Sequence, residues 1–207
     1  MITRSKLYQI FPLGLVIILF VLMFITYDHA YDRQVWWSEI SSVLFLLVAF
    51  GSTYKKFRFS NTGYFILFVW CILQTIGAQY TFERVPFDFI TNLFGFERNH
   101  YDRVAHFAVG CCSFLVSEFV YKKRLVFSKS TAIYFGIIFI MALANAWELI
   151  EWAYAEIDGG SAGQAFLGSQ GDIWDAQKDM LMDTLGAILG SILFYVSVKK
   201  CKKVLLL

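Results

Sequence analysis

The sequence predicts an all-α, polytopic membrane protein built as a bundle of about six transmembrane helices. Hydrophobic residues fill 58% of its 207 positions and charged residues only 16%, with a mean hydropathy of +0.58. A soluble chain of this length has no means of hiding so much apolar surface. The apolar residues also gather into six long runs. Lipid satisfies no backbone N–H or C=O, so each run must close its own hydrogen bonds as a helix. Aromatic residues reach 19%, with 22 Phe, 11 Tyr and 6 Trp, which suits lipid contact and interfacial belts.

The runs cover residues 8–27, 36–54, 62–80, 103–121, 131–152 and 174–198, each near the ~20 residues that a hydrocarbon core of about 30 Å requires. The first could pass for a signal peptide, but no small-residue cleavage site follows it and Tyr27-Asp28-His29 does, so it reads as a retained span. The second holds Glu39 near its start. The third carries Cys71 in its middle and Gln74 and Gln79, which suit hydrogen bonds between helices. The fourth opens on Asp102-Arg103-Val104-Ala105-His106-Phe107 and contains Cys111 and Cys112. The fifth ends in Trp147-Glu148-Leu149-Ile150-Glu151-Trp152, and the sixth opens in an acidic stretch from Gly171 to Asp183. Thiols in such runs behave as small hydrophobes, and no zinc-type cysteine spacing is present. The whole, residues 1–207, reads as a single integral membrane domain without linker, repeat or low-complexity tract.

Charge in the connections sets the expected topology. Arg4 and Lys6 precede the first span; Lys55, Lys56 and Arg58 follow the second. Lys122, Lys123, Arg124 and Lys129 lie between the fourth and fifth, and Lys199, Lys200, Lys202 and Lys203 follow the sixth. The other connections are mixed or acidic. The positive-inside rule then puts both termini in the cytoplasm. Two outer loops are long. Residues 81–102 suit an amphipathic interfacial segment. Residues 157–171, rich in glycine, suit a tightly turned or re-entrant loop better than a helix, and they lack the lysine of a phosphate-binding loop. The basic residues are committed to topology, so no nucleic-acid signature remains. Nothing sets the oligomeric state.

The basic ends also act as rulers. His106 lies 16 residues before Lys122, Asp183 16 before Lys199, and Glu39 16 before Lys55. Each therefore sits about 24 Å from the inner boundary. Glu148, 19 residues after Lys129, lies slightly further out. Facing agrees with depth: Asp172, Asp175, Asp179 and Asp183 fall within an arc of about 80°, and Gly186 and Gly190 continue that stripe as a small-residue seam. Asn145, Glu148 and Glu151 share a face of the fifth span; Asp102 and His106 are four apart on the fourth.

An outward-facing pocket of these groups suggests a divalent cation such as Mg²⁺, Mn²⁺, Ca²⁺, Zn²⁺ or Fe²⁺. The expected ligands are Glu148, Glu151, Asp175, Asp179, Asp183 and His106. Glu39, Asn145, Gln170, Asp172 and Gln177 complete the pocket. The corresponding function is a metal-assisted hydrolase or transferase acting on an envelope lipid or lipid-linked phosphate. His106, Asp102 and Glu148 are the candidate catalytic groups, and membrane lipids the expected partners. A structural alternative stands beside it. Asp102, Asp172 and Asp175 suit helix caps, and Arg98, Arg103 and Lys178 suit ion pairs with the acids. The tryptophans suit an interfacial belt. Non-catalytic lipid or cation binding is the other functional alternative. Ion or proton transport fits less well, since few ionisable groups continue inward and no broken helix, proline kink or inverted repeat is visible.

Tyr80-Thr81-Phe82-Glu83-Arg84-Val85-Pro86 and Phe94-Gly95-Phe96-Glu97-Arg98-Asn99-His100-Tyr101-Asp102-Arg103-Val104-Ala105-His106-Phe107, with Gly110, resemble the YjdF-type inner-membrane proteins. So do Trp147–Trp152 and the stretch from Phe166 to Met180, over about residues 60–195. The resemblance implies a multi-pass protein of the bacterial inner membrane and supplies no reaction. More distantly, Asp102, Arg103, His106 and Phe107, with Asp179, Gly186, Ala187 and Gly190, resemble VanZ-like proteins, linked to glycopeptide resistance. That implies an envelope-lipid role. Asp183 stands where that family often has Asn, and Glu151, Asp172 and Asp175 are additional acids.

Overall fold

The computed structural model describes residues 4–204, and among the described residues it contains helices and turns but no strand. The helices are α1 (Arg4–Asp28), α2 (Arg33–Thr53), α3 (Asn61–Tyr80), α4 (Asp88–Phe94), α5 (Tyr101–Gly110), α6 (Ser113–Lys122), α7 (Lys129–Asp158), α8 (Ser161–Leu167) and α9 (Asp175–Val204). Six stretches among them are long and apolar enough to cross a bilayer, with α5 and α6 forming one crossing, Tyr101–Lys122. The protein is a multi-pass helical membrane protein.

Local chemistry marks the helix ends. Asp32 accepts from the backbone N–H groups of Gln34 and Val35 at 2.8 and 3.1 Å and starts α2. Ser60 and Ser128 do the same for α3 and α7, accepting from Gly63 and Thr131. α7 stops at Gly159, whose left-handed φ of 59° turns the chain at little steric cost.

The helices differ from the sequence expectation in three places. α7 runs 30 residues, about 45 Å, well past 152. Hydropathy ends a span at its first charges, but the backbone ladder continues until Gly159 breaks it. Residues 157–171 are not wholly irregular, since α8 occupies Ser161–Leu167. Asp158 caps its start, accepting from Gly163 N at 2.8 Å and Gly160 N at 3.2 Å. The fourth span is broken after all: at Cys111 and Cys112 the backbone tightens into i→i−3 bonds, Cys112 N to Val109 O at 2.9 Å and Leu115 N to Cys112 O at 2.9 Å. α1 also carries Pro12 within its helix. Between α3 and α5, α4 leaves Phe89, Leu93 and Phe94 exposed, the pattern expected of an interfacial segment.

The break in the fourth span lies where two backbones touch. A Cβ on Gly110 would sit 2.2 Å from Asp183 O, one on Gly186 2.1 Å from Phe107 O, and one on Gly190 2.3 Å from Cys111 O. Only glycine permits this approach. Ser113 Oγ, freed to face α9, donates to Ala187 O at 2.7 Å. Below the contact Phe114 and Phe194 pack edge to face at 6.1 Å. α7 closes the third side, its Gly136 meeting Ser117 Oγ as closely as Gly190 meets Cys111. α3 packs against α1, α2 and α5.

Gly186→Ala should lower stability by about 1–3 kcal/mol, because the added methyl meets rigid backbone rather than a movable side chain. Gly14→Ala, where nothing lies within 4 Å of the new methyl, should leave it unchanged. Thermal unfolding of both variants in the same detergent checks the pair.

Candidate functional site

The glycine contact sets the register of α5 against α9, and the polar groups one to three turns further out follow from it. Asp175, Asp179 and Asp183 repeat every four residues along α9, so all three face α5. Opposite them α5 presents Arg103 and His106, while Asp102 stands one turn from His106 on the same helix. Arg103, His106, Asp175, Asp179 and Asp183 are all buried.

Arg103 is the hub of the outer layer. Its guanidinium pairs with both Asp175 and Asp179 and reaches Asp172 at 3.5 Å. Arg98 joins from the loop before α5, with Nη1 2.6 Å from Asp175 Oδ1 and 3.5 Å from Asp172 Oδ2. It also donates to the backbone oxygens of Ser169 and Gly168. Lys178 donates to Asp172 at 2.6 Å. That hydrogen bond, with the N–H of Trp174, holds the Asp172 carboxyl below the usual carboxylate range. His100 titrates below its ordinary value, because burial and the charges of Arg98, Arg103 and Lys178 outweigh the opposing pull of Asp172.

The inner layer centres on His106. Its Nδ1 lies 2.9 Å from Asp183 Oδ2, a hydrogen bond that orients the ring. With Nδ1–H donating to that carboxylate, a neutral imidazole would present its Nε2 lone pair on the other side of the ring. There Nε2 is 3.6 Å from Asp102 Oδ1 and 3.8 Å from Asp179 Oδ1. These three ligand atoms lie within 4.8 Å of one another. Asp179 is 2% exposed, and its Oδ1 is buried with no hydrogen-bond partner. Glu148 Oε1 is buried and unpartnered as well. Glu148, on α7, feels the charges of His106, Asp179, Asp102 and Asp175. Glu151 feels those of Glu148, Asp102 and His106. Glu39, on α2, closes the floor: it accepts from Gln74 Nε2 at 2.9 Å and lies within electrostatic reach of Asp102 and His106.

The structure therefore gathers Glu39, Asp102, His106, Glu148, Glu151, Asp175, Asp179 and Asp183 from four spans. Two expected pocket residues fall elsewhere. Asn145 and Gln177 are exposed on the bundle surface, because their helical phase turns them away from the α5–α9 contact. Gln170 is present but serves the loops: its side chain accepts from Asn99 N and donates to Asn99 O, both at 3.1 Å. Asn99 in turn donates to Glu83 O and Val85 O. Asp172 lies at the rim with Lys178. Asp175 is wholly taken up by two arginines. Glu118 escaped the sequence reading. It is a buried acid on the opposite side of the membrane that accepts from Ser60 N and from Lys122 Nζ at 2.6 Å. Its spacing of four from Lys122 inside an apolar run was the available signal.

The family described as "Predicted membrane protein (DUF2238)" matches residues 11–200. The inner membrane protein YjdF of Escherichia coli strain K12 is 31% identical over 161 residues, covering 77% of each chain. No solved structure matches.

Arg103→Met should be severely destabilising, by about 3–5 kcal/mol, since it strands the buried Asp179 carboxylate and leaves Asp175 with Arg98 alone. Lys178→Met, at a half-exposed position, should change little. Chemical denaturation in matched micelles separates the two. Acidification acts on His100 with a definite sign. A histidine depressed in the folded state binds fewer protons than the unfolded chain, so its contribution is lost as pH falls through about 6.5 toward its folded value. The drop in melting temperature between pH 7.5 and 5.5 should be smaller in His100→Gln than in the parent.

Proposed function

The chain belongs to the DUF2238 family of predicted membrane proteins, and from that premise we propose that its pocket binds a divalent cation and uses it on the phosphate of an envelope lipid. The support for the cation is the geometry around His106. Separations of 3.6 and 3.8 Å from Nε2 to Asp102 Oδ1 and Asp179 Oδ1 are too long for hydrogen bonds. They are edges of a triangle whose corners can each lie about 2.1–2.4 Å from a central ion, within the range for Mg²⁺, Mn²⁺, Zn²⁺ and Ca²⁺. Asp183 on Nδ1 supplies the outer partner that metal-bound imidazoles carry. The unpartnered Asp179 Oδ1 points the same way, because a buried carboxylate oxygen without hydrogen bond or cation is costly. Carboxyl groups also outnumber the bases in the pocket, and a bound cation offsets that excess.

Asp102, His106 and Asp179 would hold such an ion, which would supply Lewis-acid polarisation of a lipid phosphate, and Glu148 would act as base. Water's oxygen would bond to phosphorus as the P–O ester bond breaks, and the water proton would pass to Glu148 and from it to the departing ester oxygen, which leaves as an alcohol. The positive-inside pattern supports cytoplasmic termini and an outward pocket, and the named relative supports the inner membrane as its location. A non-catalytic cation- or lipid-binding role is favoured by a separate observation. Arg98 and Arg103 are already committed to Asp172, Asp175 and Asp179, and so are not free to hold a phosphate.

Elemental analysis of purified protein should find about one equivalent of a divalent metal. His106→Ala and Asp179→Asn should lose it. If the wild-type protein, reloaded with each candidate metal, retains none, the cation proposal fails. Glu148→Gln should keep the metal but stop phosphate release from phosphatidic acid or polyprenyl phosphate in mixed micelles. Bound metal without any release decides for the non-catalytic role.

A further inference from the structure

A second feature lies apart from the polar pocket. α1 and α2 meet at their connected ends, where Trp36 Nε1 donates to Thr26 Oγ1 at 3.2 Å. Toward the other end of α2, side chains of both helices line a gap, and α3 packs against both. The result is a cleft of about 620 Å³ walled by apolar side chains, Val16 of α1 and Leu47 of α2 among them, with Leu67 of α3 beneath. Tyr54 lies at its end. Its lining side chains Leu13, Phe20 and Val48 are exposed on these apolar spans, so its occupant comes from the bilayer. A dry cleft left empty forfeits dispersion contacts along its walls, and a flexible hydrocarbon chain restores them.

The rim states which lipid fits. The Arg58 guanidinium sits 5.1 Å from the centre of the Tyr54 ring, directly at the cleft's end. Lys55 and Lys56 are exposed beside it. Lys123, from the neighbouring loop, donates to Lys56 O at 3.3 Å and brings a further positive charge. The buried acid on this side, Glu118, is already met by Lys122 and the N–H of Ser60. We propose that the cleft seats an acyl chain of an anionic phospholipid from the adjoining leaflet, with its headgroup against the Lys55–Arg58 loop. Every lipid has a chain to offer, so selection rests on the headgroup charge.

Native mass spectrometry of the full chain, equilibrated with equal amounts of phosphatidylglycerol and phosphatidylcholine, tests this. One phosphatidylglycerol should be retained at least about fivefold over phosphatidylcholine, the bias that even one basic side chain near the headgroup gives. Leu47→Trp, which fills the cleft, should lose the retained lipid. Ile138→Trp, at an exposed position on α7, should keep it. Replacing the exposed Lys55, Lys56 and Lys123 with Gln should abolish the preference without disturbing the core, so the proposal stays testable even if Leu47→Trp does not fold. Equal retention of the two headgroups by the wild-type protein overturns the proposal. So does an unchanged preference in the triple-Gln variant, or full retention by a folded Leu47→Trp.

Discussion

The close approach of α5 and α9 at Gly110, Gly186 and Gly190 is the contact on which the rest of the bundle depends. With backbone atoms about 2–3 Å from where side chains would begin, the two helices have one register and no alternative to it. That register sets Asp183 opposite His106 and Asp179 opposite Arg103. It also explains the broken fourth span, because the chain tightens at Cys111 and Cys112 as it passes the contact. A side chain at any of the three glycines would push the helices apart, and the polar layers above would lose their partners.

Those layers solve an electrostatic problem in stages. Carboxylates near a membrane boundary are tolerated when each is paired, solvated or neutralised. At the rim, Asp172 has Lys178 and the N–H of Trp174. One turn in, Asp175 has two arginines. Deeper still the cations no longer match the acids in number. Asp179 gives one oxygen to Arg103 and leaves the other without a partner, and Asp102, Glu148 and His106 gather around the same spot. The shortage of positive charge is thus local to the layer around Asp179 and His106.

The loops at this end of the bundle serve this arrangement as well. Gln170 clips to the backbone of Asn99, and Arg98 to the backbone of Gly168 and Ser169. These bonds tie the loop before α5 to the loop before α9, so the two helices are held together at both ends of the acid stripe. On the far side of α3 a different logic applies. α1 and α2 pack on α3 without closing on each other, and the gap is apolar.

Much of this was legible from residue order. The six spans follow from apolar runs and the absence of any other way to satisfy backbone groups in lipid. The acid stripe of α9 follows from a spacing of four, and the gathering of Glu39, His106, Glu148 and Asp183 at one depth follows from counting residues back to the basic ends. Other features depended on partners distant in the chain. Asn145 and Gln177 share the depth of the pocket but not its side, and depth alone does not reveal rotation about a helix axis. Gln170 sits in the expected loop but spends its amide on Asn99, 71 positions away. The break at Cys111 has no proline or glycine pair to announce it and exists because α9 presses on the preceding turn. Periodicity and composition act within one helix, so the sequence alone determined which segments span and which faces are polar. Which carboxylate found an arginine, and which was left facing the imidazole, depends on contacts between helices, and only the tertiary structure decided it.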